Sequence, residues 1–257
     1  MAWRSLRRSA RRLLGRGGAL AGLELWVPDH YDPILVGPEY EPELMAALRR
    51  LVRPGFVCAD VGANVGVVTL VLARYVGARG RVVAFEAIRD NVEVLRRNLE
   101  LNPKLMPRVV VEEAAVTDGA AETVELFAGR GGSHAEWTFS REFAARADDA
   151  PVERAGRSVR ALALDEYFRP PARLDLVKMD IEGAEAVAVA GMRRLLEQTR
   201  PVVVLEFHAP VGWPAIGLLY AAGYRLESLD GASLQPPASP DDVPYQLVAR
   251  ASNTELR

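Results

Sequence analysis

The first chemical signal lies in Val57-Cys-Ala-Asp-Val-Gly-Ala-Asn-Val-Gly-Val-Val-Thr-Leu70. An apolar run ends in Asp60, and Gly62, Ala63, Asn64 and Gly66 then lead into a helical pattern. Open α/β sheets bind nucleotide-like ligands at such a place, the carboxyl end of a first strand. Gly62 carries no Cβ to hold a ligand away from the backbone, and Gly66 allows close packing of helix on strand. The spacing is not the G-x-G-x-x-G of dinucleotide sites, and Asp60 would repel a pyrophosphate while suiting a cation. Glu86 closes a second strand twenty residues past Gly66. A carboxylate there accepts hydrogen bonds from both ribose hydroxyls and repels a 2′-phosphate. Both segments together describe an adenosine ligand without phosphates and with a positive charge nearby. S-adenosylmethionine fits that description.

A second set of reactive groups follows in Leu174-Asp-Leu-Val-Lys-Met-Asp-Ile-Glu-Gly-Ala-Glu185 and in Glu206-Phe-His208. Strand alternation puts Lys178, Asp180 and Glu182 on one side, at or past a strand's carboxyl end. Methyl transfer is an in-line displacement that needs alignment, and a hydroxyl acceptor also needs a group to take its proton. Lys178 between carboxylates can position them or bind an acceptor oxygen. Glu206 and His208 share a face beside Asp180, and His208 is a candidate base near neutral pH. Asp180, Glu206 and His208 are also of the right types to hold a divalent cation. The aspartate pattern of metal-dependent O-methyltransferases is not present, however, and no metal is expected. Ser133, His134 and Trp137, in a segment of lid length, are candidates to close over an acceptor.

The elements that must position these groups alternate between short apolar runs and helical patterns. Strands are expected at 56–60, 81–86, 109–114, 174–180 and 201–207, and helices at 64–75, 90–101 and 184–198. That rhythm implies an α/β fold with a doubly wound, mostly parallel sheet. Strands at 123–127 and 158–164 stand apart from it, with a connection of lid length at 128–158. A helix in EPELMAALRRLV ends before Pro54. Residues 1–45 read as a basic lead-in and residues 46–257 as the main domain. The 257 residues carry 32 basic and 34 acidic side chains, yet the first 23 contain six arginines and no acid. Residues 24–257 therefore hold 26 basic and 34 acidic groups, an acidic body that excludes an obvious polyanion partner such as nucleic acid. Trp3, Leu6, Ala10, Leu13 and Leu14 have helical spacing, so the lead-in reads as a basic amphipathic helix able to touch an anionic membrane surface. One cysteine, Cys58, excludes a disulfide framework. No apolar run is long enough to cross a membrane, and a cytoplasmic location is expected.

DVGANVGVVTL, AFEA with Asn91 and Asn98 beyond it, LDLVKMDIEGAE and RPVVVLEFH, in this order, resemble the FkbM-type family of S-adenosylmethionine-dependent methyltransferases. The resemblance covers about residues 50–210. Ala87 departs from the proline that many relatives carry after the glutamate. The resemblance implies a Rossmann-like class I fold, and O-methylation of a hydroxyl on a sugar, glycolipid or polyketide-type natural product. It also implies that Ala115 or Val116 packs on the adenine. Two other classes remain open from the residues alone. One is an NAD-dependent oxidoreductase, against which the missing fingerprint speaks; the other is a binding protein that kept the fold without the activity.

Overall fold

The computed structural model describes residues 10–29, 37, 40–128, 137–138 and 157–252. The chain begins there with β1 (Ala10–Leu14) and β2 (Glu24–Pro28), followed by α1 (Pro42–Leu51). The central run is β3 (Val57–Val61), α2 (Val67–Tyr75), β4 (Arg81–Glu86), α3 (Arg89–Leu101) and β5 (Val109–Glu113). Short β6 (Ala115–Val116), β7 (Thr123–Ala128), β8 (Trp137–Thr138) and β9 (Arg157–Leu162) come next, then α4 (Leu164–Tyr167) and β10 (Leu176–Met179). The chain closes with α5 (Glu185–Ala190), α6 (Arg193–Gln198), β11 (Val202–Glu206), α7 (Trp213–Ala221), β12 (Tyr224–Glu227) and β13 (Gln246–Ala251).

Seven strands form one sheet in the order β12-β13-β11-β10-β3-β4-β5. The five from β11 to β5 run parallel, and β13 lies antiparallel between β11 and β12. The fold is therefore the α/β, mostly parallel, doubly wound arrangement that the apolar runs imply. Their continuity reflects burial on both faces. Cys58, Val82, Ala84, Leu176 and Val204 face one apolar core with Leu48 of α1, Leu70 of α2 and Leu95 of α3. Ala59, Val83, Phe85, Val177 and Leu205 face the other, with Val189, Leu195 and Ile216. A second sheet, in the order β6-β9-β7-β8, flanks the β5 side and carries the strands that stand outside the α/β rhythm.

Two expectations are corrected. Residues 10–14 form a strand, not part of an amphipathic helix, and pair antiparallel with β2 from Ala10 opposite Pro28 to Leu14 opposite Glu24. The reason is a nearby partner: Arg12 meets Glu24, Arg11 meets Asp29 at 3.1 Å, and Leu25 and Val27 of β2 are buried. The arginines thus find acids across a hairpin, and Leu13 packs on the core while Leu14 stays exposed. The helix expected over 184–198 is two short ones. The backbone at Gly191 passes so close to the Thr117 carbonyl that a Cβ would lie 1.9 Å from it. The Asp165 carboxylate then caps the second helix, accepting hydrogen bonds from the Arg194 and Leu195 amides at 2.9 and 3.0 Å.

Asn98 and Asn102 of α3 fasten the hairpin to the sheet. Fully buried Asn98 accepts from the Trp26 amide and donates to the Val65 carbonyl at 2.8 Å, and Asn102 donates to the Glu24 carbonyl at 2.7 Å. Replacing Asn98 strands a backbone donor and a backbone acceptor away from water. Asn98→Ala is expected to lose about 2 kcal/mol of stability in urea unfolding, whereas a loss below about 0.5 kcal/mol would contradict this role.

Candidate active site

The site lies at the carboxyl ends of the parallel strands. β3 ends in Asp60 and Val61, and the turn beyond needs left-handed backbone at Gly62 (φ 78°), Asn64 (φ 50°) and Gly66 (φ 88°). A Cβ at Gly62 would lie 1.8 Å from the Asp180 carbonyl, so this glycine lets the β3 loop rest on the loop after β10. A Cβ at Gly66 would lie 2.9 Å from Leu95 Cγ, which makes Gly66 the close contact of α2 with α3 and not with a strand. These are the close approaches that only glycine allows.

The resulting cleft contains about 730 Å³ of free space, part of it open to solvent. Gly62, Asn64, Glu86, Ala87, Ile88, Asn91, Ala115, Val116, Asp180 and Glu182 line it. Glu86 is almost buried and accepts hydrogen bonds from the Asn64 amide at 2.7 Å, the Ile88 amide at 2.8 Å and Asn91 Nδ2 at 3.4 Å. Burial raises its pKa, and the two backbone bonds and Asn91 offset only part of that rise. Its carboxylate is thereby fixed in direction, with one lone pair of Oε2 left for a ribose hydroxyl and the long Asn91 bond the one a second hydroxyl would displace. Phe85, Ile88, Ala115, Val116 and Leu126 supply an apolar slot of the kind an adenine ring fills. Three carboxylates and no basic side chain line the cleft among the described residues. Such a donor set suits a cationic, phosphate-free adenosine ligand and is hostile to a pyrophosphate.

Asp60 does not line the cleft. It is fully buried below the loop, accepts from Thr69 Oγ1 at 2.5 Å and leaves Oδ1 without a hydrogen-bond partner. Burial raises its pKa, opposed by the charge of Lys178, which stands opposite it across the β3–β10 pair. Lys178 is also buried and reaches Asp180 Oδ2 at 3.3 Å. Burial alone would lower the Lys178 pKa, but Asp180, Asp60, Glu41 and Glu206 outweigh it and keep the ammonium charged. One lysine thus connects the buried end of β3 to a carboxylate on the cleft wall.

Behind Asp180 lies a group of acids around His208. Its Nδ1 is 2.7 Å from Glu185 Oε1, and its Nε2 is 3.4 Å from Glu182 Oε2 and 3.5 Å from Glu206 Oε1. Glu206 in turn accepts from the Tyr245 hydroxyl and, at 3.0 Å, from Gln246 Nε2, which also donates to Glu41 at 3.0 Å. Burial and then the Asp180 charge raise the Glu206 pKa. For His208, burial depresses the pKa, but the Glu185 bond and charge, followed by Glu182 and Asp180, carry it up to about 9. The ring therefore holds a proton at neutral pH, which corrects its reading as a base ready to accept one.

The structure brings Lys178, Asp180, Glu182, Glu206 and His208 together, and gathers Gly62, Asn64, Glu86, Ala115 and Val116 around the cleft. Ala63 sits in the same turn but is buried. Ser133 and His134 lie outside the described residues, and Trp137 is placed only as backbone, paired with Ala128 in β8. Sequence reasoning missed Ile88, Glu185, Tyr245 and Gln246. The signal for Glu185 was present as a second acid three residues past Glu182, but it also reads as a helix-start charge. Nothing in the linear order announces that β13 inserts beside β11 and presents Tyr245 and Gln246.

Residues 60–226 match the family model described as the methyltransferase FkbM domain, well over half of the chain. A methyltransferase FkbM structure from Methylobacillus flagellatus is 17% identical, with a TM-score of 0.48, covering 85% of this chain and 55% of that one. An S-adenosylmethionine-dependent O-methyltransferase structure from Thermotoga maritima is 16% identical, with a TM-score of 0.47, covering 85% and 68%. Among curated proteins, protein-L-isoaspartate O-methyltransferase 2 of Arabidopsis thaliana is 31% identical over 83 residues, which is 32% of this chain. The chain spans 27% of that relative's length and 55% of the M. flagellatus chain's.

The raised His208 pKa gives a direct test by NMR on the EDTA-treated chain. His208 is expected to titrate at about 9, and Glu185→Gln to move the midpoint down toward 6.5. Because the folded value is raised, the pairing stabilises the fold fully below about pH 6.5 and is lost as pH rises through about 9. A wild-type midpoint near 6.5 would contradict the assignment.

Proposed function

Because the chain belongs to the FkbM family of S-adenosylmethionine-dependent methyltransferases, we propose that it methylates a hydroxyl oxygen of a sugar, glycolipid or polyketide-type acceptor. The observation that carries this reading is one continuous cleft with Glu86 on its wall and Asp180 and Glu182 at its β10 side. Bound S-adenosylmethionine supplies a methyl group on a positively charged sulfur. Glu86 holds the ribose hydroxyls, Ile88 and Val116 flank the base, and Asp180 and Glu182 face the cationic end.

A hydroxyl acceptor has a high pKa and loses its proton as the new bond forms. Asp180 is the group for that proton: it lines the cleft and is oriented by Lys178. General-base help of this kind is worth roughly 10²–10⁴ in rate. Lys178 keeps Asp180 in place without blocking the cleft, since the ammonium itself is buried. Protonated His208 keeps Glu182 and Glu206 from repelling each other. The absence of basic lining groups among the described residues speaks against the NAD reading. A binding protein without activity would hold the cofactor and transfer nothing.

Two measurements test this reading. S-adenosylhomocysteine at 100 times its Kd is expected to stabilise the chain by about 2.7 kcal/mol, NAD to have no effect, and Glu86→Ala to abolish the shift. No shift with wild-type protein at millimolar ligand would defeat the cofactor assignment. Transfer of labelled methyl to neutral sugar, glycolipid and polyketide acceptors is expected, with Asp180→Asn lowering kcat about 100-fold while cofactor binding persists. Undiminished kcat in that variant would remove Asp180 from the role.

A further inference from the structure

Asp180, Glu182 and His208 come from two places: the loop just past β10, with Glu182 in the left-handed region, and the segment past β11. Even so, each offers one ligand atom within 4.8 Å of those of the other two. Around a six-coordinate cation with bonds of about 2.1–2.2 Å, neighbouring ligands lie about 3 Å apart and opposite ones about 4.3 Å. The 3.4 Å between His208 Nε2 and Glu182 Oε2 is close to the neighbouring-ligand distance. The 4.8 Å limit that holds for all three separations is about half an ångström beyond the opposite-ligand distance.

The histidine gives an independent sign. Its other ring nitrogen, Nδ1, is 2.7 Å from the Oε1 of Glu185, a glutamate with 0% exposure. Metal-bound histidines are characteristically held in this way: a carboxylate behind Nδ1 fixes the ring and turns Nε2 toward the ion. A glutamate that served only as a helix-start charge would have no reason to be wholly buried against the ring. Its distance from the cleft lining also separates it from the cofactor contacts, because Asp180 and Glu182 line the cleft and Glu185 does not.

We propose that Asp180, Glu182 and His208 form a binding site for one divalent cation, with Glu185 as the positioning residue behind His208. Two carboxylates and one imidazole, with no thiolate, suit an oxygen-preferring ion of the Mn²⁺ type. Nε2 then carries either a proton or the cation. The site adjoins the cleft, so a dication held there would lower the pKa of the acceptor hydroxyl, whose proton passes to the Asp180 oxygen that does not hold the ion. That role rests on the methyltransferase reading; the binding of the ion does not.

The test titrates Mn²⁺ into the full, EDTA-stripped chain and follows the loss of the free-ion signal by electron paramagnetic resonance. S-adenosylhomocysteine affinity is measured on the same samples by calorimetry. One Mn²⁺ per chain is expected. Glu182→Gln, whose side chain is partly exposed, should weaken it tenfold or more, and Glu185→Gln about 10–100-fold. Glu185→Gln, which does not line the cleft, should hold the homocysteine ligand within about twofold of wild type, and both variants should keep the wild-type circular dichroism spectrum, which shows that they are folded. Mn²⁺ that stays free up to millimolar concentration, or binding unchanged by Glu182→Gln, would overturn the site. Mn²⁺ bound while wild-type protein ignores the homocysteine ligand would support the site and count against the cofactor reading instead.

Discussion

A buried ammonium group holds this site together. Lys178 stands opposite Asp60 in the β3–β10 register, nearly excluded from water, and reaches forward to Asp180. A lone charge in that position would be intolerable, and removing one partner of a buried pair typically costs about 3–5 kcal/mol. The pairing therefore ties three things that the chain separates by over a hundred residues. These are the end of the first central strand, the end of its neighbour and the cleft wall between their loops. Gly62 completes the join, because only a residue without Cβ lets the β3 loop lie against the Asp180 carbonyl.

The chemistry of the cleft follows from what this pairing leaves over. Lys178 is committed between Asp60 and Asp180, and His208 among Glu182, Glu185 and Glu206. The wall facing the ligand presents Glu86, which no cation answers among the described residues, beside Asp180 and Glu182, which Lys178 and His208 offset from behind. A cofactor with a sulfonium and no phosphate matches such a wall, and a dinucleotide does not. The whole-chain charge of −2 conceals this, because the arginines near the start offset the acids of the body. In the described part of that start, Arg11 and Arg12 are answered by Asp29 and Glu24 within the hairpin.

The central sheet was legible because its parallel strands are buried on both faces, and so read as apolar runs ending in acids. Asp60 and Glu86 were legible through their spacing about a glycine turn, although only Glu86 reaches the cleft. Asp60 reads the same in sequence whether it faces a ligand or a lysine, since strand position gives its face and not its depth. The N-terminal hairpin was hidden for a related reason: arginine and leucine at mixed spacing fit a helix until Glu24 and Asp29 are known to lie across from them. Tyr245 and Gln246 were out of reach, because antiparallel insertion of β13 beside β11 is a long-range pairing with no local pattern of its own. Glu185 shows the same limit at short range. Its burial depends on where His208 arrives from the next strand.

If the Lys178 pairing shapes the cofactor cleft, removing it without leaving a buried charge should spare the fold and damage binding. The direct measurement is calorimetric affinity for S-adenosylhomocysteine in the double variant Lys178→Met with Asp60→Asn, compared with wild type, alongside circular dichroism of both. Intact secondary structure with affinity at least tenfold weaker is the expected result, because Asp180 and the Gly62 loop lose their common anchor. A folded double variant that binds with wild-type affinity would contradict the account.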